Sequence, residues 1–149
     1  MYRTVVVGTD GSETAGRAVE AAAELAKSYG ARLVVVTAFT HDEKAETEAV
    51  SQRGVPDDLR FTLTDRSQAE DLARTGRAVA KAAGVTDVVI ATDEGPPGDV
   101  LLGVAEDHGA ELVVVGSKGM TGASRFVLGS VANTVSHHAP CDVLVVHTT

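Results

Sequence analysis

With 149 residues, 13 Lys plus Arg against 21 Asp plus Glu, and a formal net charge of −8, the chain repels nucleic-acid backbones and anionic membranes at long range, and neither is expected as a partner. The length suits one domain, 1–149, burying roughly two-thirds of its unfolded surface. One cysteine, Cys141, excludes an intrachain disulfide, and no apolar run approaches the ~20 residues of a membrane helix, so a soluble cytoplasmic protein is the expectation.

The chain opens on "TVVVG" (4–8), a continuously apolar, β-branched run of the kind required by strands covered on both faces. From Ser12, a good N-cap, apolar residues recur at Ala15, Ala18, Val19, Ala22, Leu25 and Ala26 until Gly30 stops the helix. "RLVVVTAF" (32–39) is the second strand. Segment 40–62 is polar and charged, with Gly54 and Pro56 inside it, and reads as a mobile connector holding at most part of a helix. A second helix runs from about Ser67, with Ala69, Leu72, Ala73, Gly76, Val79, Ala80 and Ala83 on one face and Gly84 as its stop. "DVVIA" (87–91) is the third strand, a third helix carries Val100, Leu101, Val104 and Ala105 before Gly109, and "ELVVVG" (111–116) and "DVLVVH" (142–147) are the remaining strands.

The helix endings rhyme: "GARLVVV", "GVTDVVI" and "GAELVVV" each set a terminating glycine just ahead of a strand. Repeated αβ units of this kind predict an α/β fold, a five-stranded parallel sheet with helices on both faces in a Rossmann-like arrangement. Ligands of such sheets sit beyond the carboxyl ends of the strands. Two strand ends carry suitable residues, "VGTDGS" after the first and "GSKGMTG" after the fourth.

The stretch "GSKGMTGASRFVLGS" (116–130) is free of acids in an acidic chain and carries Lys118 and Arg125. Gly116 and Gly119 allow close backbone approach to a ligand. "LGSVANTVSHHA" reads as a helix starting near Gly129 and Ser130, whose free N–H groups suit a phosphate. Neither GxxxxGK[ST] nor an early GxGxxG is present, so no common P-loop or dinucleotide site is encoded.

The spacing Gly116-x2-Gly119-x9-Gly129-Ser130, the early "VGTDGSETA" with Asp10, and the closing "APCDVLVVH" together resemble the universal stress protein family in its ATP-binding branch. The resemblance implies a five-stranded parallel α/β fold, nucleotide held between the first and fourth strand ends, and a homodimer paired through the last strand, here Val143, Leu144, Val145 and Val146. It implies that Asp10 contacts the ribose and a phosphate-bound metal, that backbone at Ala38 meets the adenine, and that amides of Gly116, Gly119, Gly129, Ser130 and Val131, with the Ser130 hydroxyl, hold phosphates. The nucleotide expected is ATP, or cyclic AMP or AMP, with Mg²⁺ bridging through the phosphates. A carboxylate beside a triphosphate is repulsive unless Mg²⁺ bridges it or it turns to the ribose, and Asp10 also suits a turn or cap before the first helix.

Three functions compete on these residues: a nucleotide-binding stress or signalling protein, a slow ATPase or phosphotransferase using the same pocket, and a nucleotide-free interaction module. No general base stands beside the glycine loop, which favours binding over catalysis. His137 and His138, adjacent at a helix C-terminus, point apart and are not expected to share a metal, and Cys141 is expected to pack inertly. The apolar last strand would aggregate as an open edge, and pairing with a second copy would cover it.

Overall fold

In the computed structural model, which describes residues 1–40, 58–117 and 128–148, apolar runs and amphipathic segments alternate along the chain. The order is β1 (Thr4–Gly8), α1 (Glu13–Tyr29), β2 (Arg32–Phe39), α2 (Asp58–Ala82), β3 (Val88–Glu94), α3 (Pro97–Asp107), β4 (Leu112–Gly116), α4 (Ser130–His138) and β5 (Asp142–Val146). All strand pairs are parallel and the sheet order is β3-β2-β1-β4-β5.

Period-two alternation in the strands divides the core. Val5, Val7, Leu33, Val35, Leu112 and Val114 face α1 and α2, packing on Ala18, Val19, Ala22, Ala26 and Ala80. Val6, Val34, Val36, Val113 and Val115 face α3 and α4, against Val100, Leu101, Val104, Ala105, Ala132 and Val135. A helix covers each side of the central strands, so both side-chain sets are buried, which explains why these strands are apolar throughout rather than alternating.

The rhyming glycines share one geometry. Gly30, Gly84 and Gly109 have φ of 64°, 107° and 61°. The residue after each donates its N–H to the carbonyl five positions back: Ala31 to Ala26, Val85 to Ala80, and Ala110 to Ala105. A left-handed residue followed by this bond ends a helix and sends the chain straight into a strand.

Two boundaries differ from expectation. α2 begins at Asp58, ahead of Ser67, and so takes in the end of the 40–62 segment, the part of a helix that its reading as a connector allowed. Its first turns lack the small-residue stripe that made Ala69, Ala73 and Ala80 legible, and Phe61, Thr62 and Thr64 within them are weak helix formers by propensity. Residues 41–57 lie outside the described residues. β3 runs on past Ala91 through Thr92, Asp93 and Glu94, which pair with Thr37, Ala38 and Phe39 of β2. These are polar because β3 is an edge strand whose outer end is exposed.

Candidate functional site: the cleft beyond β1 and β4

The chain moves outward from β1 to β2 to β3, then crosses to β4 and β5 on the other side, so the strand order reverses between β1 and β4. Helices leave these two strands toward opposite faces, α1 to one and α4 to the other, and the divergence opens a crevice past their carboxyl ends. A cavity of about 510 Å³ occupies it, within the range of roughly 300–1,000 Å³ usual for small-molecule sites.

Its walls come from separate parts of the chain. Gly8, Thr9 and Asp10 leave β1, and Ser12, Thr14 and Ala15 form the first turn of α1. Val36 and Ala38 come from β2, Pro97 and Leu101 from α3, Val115 and Gly116 from β4, and Gly129, Ser130, Val131 and Ala132 from the start of α4. Thr148, beyond β5, completes the lining. Asp10, Ala38, Gly116, Gly129, Ser130 and Val131, singled out from sequence, therefore border one cavity. Gly119, with Lys118 and Arg125, lies outside the described residues.

The two helix starts at the cleft differ. Ser12 caps α1, its Oγ accepting from Ala15 N–H at 3.2 Å, while Asp10 Oδ1 accepts from Ser12 N–H at 2.9 Å. Asp10 thus closes the turn that starts the helix, the local role its side chain suits. At α4 the N-cap is Gly129, which makes no side-chain cap bond. The first-turn amides of Ser130, Val131 and Ala132 are those a helix leaves without intrahelical partners, and all three residues line the cavity. A helix start of this kind carries a partial positive charge and oriented donors.

Across the cavity the backbone of Ala38 is turned inward. Strand β2 alternates its hydrogen-bonding groups: Val36 C=O accepts from Thr9 N–H at 2.9 Å on the β1 side, and Phe39 C=O accepts from Gly95 N–H at 2.9 Å on the β3 side. Ala38 therefore directs its N–H and C=O toward β1, and β1 has already left the sheet after Gly8. A donor and an acceptor side by side on an extended strand match the edge of a heterocycle that offers the reverse pair.

Among the described lining residues Asp10 is the sole ionisable side chain, and the others offer amides, hydroxyls and apolar surface. The floor is apolar, with Leu101 buried against Gly8, whose added Cβ would lie 3.0 Å from Leu101 Cδ1. Leu101 and Val36 were read from sequence as core positions alone, since a residue that lines a cavity floor has the periodicity of one that fills a core. Thr9, Thr14 and Thr148 carry no sequence signal that distinguishes them from loop or cap residues.

A family model described as the universal stress protein family matches residues 1–147. The chain belongs to that family. This universal stress protein is 34% identical over 150 residues to a universal stress protein of Mycobacterium tuberculosis, covering 99% of this chain and 98% of the relative. The crystal structure of a universal stress protein in complex with cAMP is similar to it with a TM-score of 0.74 and 33% identity, over 99% of this chain and 98% of that one. A universal stress protein from Lactobacillus plantarum, 22% identical, shares the fold with a TM-score of 0.76 over 98% of each chain. Among the described residues no helix is long and apolar enough to cross a membrane.

Proposed function

We propose that this universal stress protein binds an adenine nucleotide, ATP or cyclic AMP, and acts in stress signalling as a cytoplasmic homodimer whose occupancy, rather than turnover, is the output. The observation that carries this reading is the start of α4: a first turn that no side chain caps opens on a cavity of nucleotide size beside Gly116. Amides of Gly116, Gly129, Ser130 and Val131, the Ser130 hydroxyl, and Gly119 by the spacing of the motif take the phosphates. Ala38 N–H donates to adenine N1 and Ala38 C=O accepts from its amino group, with Leu101 and Val36 beneath the ring. The related universal stress protein solved with cAMP supports adenine nucleotide as the class.

Asp10 faces the ribose, or a Mg²⁺ carried by the phosphates. Among the described residues no group of three or more His, Cys, Asp or Glu could hold a metal, so Mg²⁺ would arrive on the nucleotide, with Asp10 as its carboxylate contact. The metal would supply charge neutralisation there, while the chain's own amides and hydroxyls orient the ligand. Binding is favoured over catalysis because Asp10 is the one ionisable group described in the cavity wall, and its Oδ1 already holds the Ser12 amide.

The homodimer reading rests on β5. It pairs with β4 alone, and Leu144 is 37% exposed on it. Antiparallel pairing with a second β5 would satisfy its open backbone edge.

Titration of the nucleotide-stripped protein with ATP and cyclic AMP by calorimetry, each with and without Mg²⁺, tests the reading. Saturable binding of either nucleotide supports it. Heat from neither reduces the cleft to a structural feature.

A further inference from the structure

Among the described residues two buried side-chain hydroxyls lack a hydrogen-bond partner, those of Thr37 and Thr148. Burying a hydroxyl without a partner is unfavourable, so each such group in a folded protein calls for a reason. Thr37 does not border the cleft; its strand neighbours Val36 and Ala38 do. Thr148 borders the cleft and is 0% exposed.

The backbone of Thr148 is pinned at both ends. Its N–H donates to Ser117 Oγ at 3.0 Å, and its C=O accepts from Arg17 Nη1 at 3.1 Å. Ser117 N–H in turn donates to Val146 C=O at 2.8 Å, extending the β4–β5 ladder to the edge of the cavity. These bonds hold the side chain beside Gly116, where an added Cβ would lie 3.1 Å from Thr148 Cγ2. The sequence therefore spends two backbone bonds and a glycine on placing a hydroxyl that nothing in the described protein receives.

We propose that Thr148 is a further ligand-contacting residue of this site, its Oγ1 donating a hydrogen bond to an anionic oxygen of the bound nucleotide. The inference rests on the nucleotide reading above and names a contact that the glycine motif does not contain. The anionic end is assigned because Thr148 adjoins Gly116 and Ser117, on the phosphate side of the cavity, and not the Ala38 and Leu101 side that would hold the base. A neutral donor suits this place, since a rotating hydroxyl serves an anionic oxygen without a second buried charge to desolvate.

The test uses the full chain and three probes: 5′-AMP, cyclic AMP and adenosine. Thr148→Val, which exchanges the hydroxyl for a methyl of similar size, is expected to weaken both nucleotides about tenfold and leave adenosine unchanged. Thr148→Ser, which keeps the hydroxyl, should stay within about twofold of wild type for all three. Ligand-free Thr148→Val should melt at or above the wild-type temperature, because an unpartnered group has been removed. Wild-type affinity for both nucleotides in Thr148→Val, or an equal loss for adenosine, overturns the inference and leaves the nucleotide reading intact. A wild-type protein that binds no probe overturns both. Should Thr148→Val fail to fold, Thr148→Ala carries the same comparison.

Discussion

Thr148 stands directly behind Gly116: a Cβ built on Gly116 would lie 3.1 Å from Thr148 Cγ2 and 3.4 Å from its Oγ1. Gly116 is not among the positive-φ glycines, so alanine would be tolerated by the backbone and would by itself stabilise the strand. The contact with Thr148 reverses that sign. Gly116→Ala is expected to cost about 1–2 kcal/mol in chemical denaturation, as overpacking does. Combined with Thr148→Ala the cost should vanish, and additive effects in that double-mutant cycle would show that the two residues are not coupled.

Ala38→Pro tests the backbone of β2. Proline in a central strand ordinarily removes a ladder bond, but the Ala38 N–H faces the cleft beyond the end of β1. The variant should fold, with a stability loss below about 3 kcal/mol, and, if Ala38 N–H is the donor to the base, should lose at least about tenfold in nucleotide affinity. Unaltered affinity in a folded Ala38→Pro protein would remove Ala38 from the adenine site.

For Asp10 the informative change is to asparagine, which keeps an oxygen able to accept from Ser12 N–H while removing the charge. If Asp10 meets a nucleotide-held Mg²⁺, Asp10→Asn should abolish the gain in ATP affinity that the metal provides and leave metal-free binding unchanged or tighter. Calorimetry with and without Mg²⁺ reads this directly. Identical metal dependence in the variant would confine Asp10 to its turn.

Leu144 is the exposed apolar residue of the β5 edge, so a charge there would perturb the proposed pairing with another copy more than the fold. If β5 pairs with a second copy, wild type should be dimeric and Leu144→Lys monomeric by light scattering at the same concentration, with an unchanged circular dichroism spectrum. A dimer that survives the substitution would place the seam elsewhere.

Burial pushes the Cys141 thiol up from its ordinary range, and the Asp142 charge adds to this. The folded protein therefore favours the neutral thiol. Any stability so contributed is present below the ordinary thiol pKa and is lost as pH rises through the raised one. Alkylation of Cys141 should accordingly be slower in the folded than in the urea-unfolded chain across the mildly alkaline range, measured by mass spectrometry. Equal rates would show that its environment is not protective.

Local chemistry was enough to read much of this protein. Continuous β-branched runs announced buried parallel strands, and Gly30, Gly84 and Gly109 announced helix ends, because a left-handed position is a requirement on one residue. Ser12 was legible as a cap, and Gly116, Gly129 and Ser130 as cleft residues, because spacing along the chain carries that information. Tertiary structure alone decided the rest. That β1 leaves the sheet before β2 does turns the Ala38 backbone into the cavity, and although the family resemblance had singled out Ala38, this physical cause lies in relative strand ends that no residue type encodes. The start of α2 at Asp58 lay hidden because Gly54 and Pro56 stand just before it and its first turns carry threonines of low helix propensity. Thr148 is separated from Arg17 by most of the chain and meets it only after β5 has docked beside β4. Sequence sets each residue's conformational and chemical limits, whereas the cleft exists because strands of unequal reach end side by side, and that is settled when the sheet assembles.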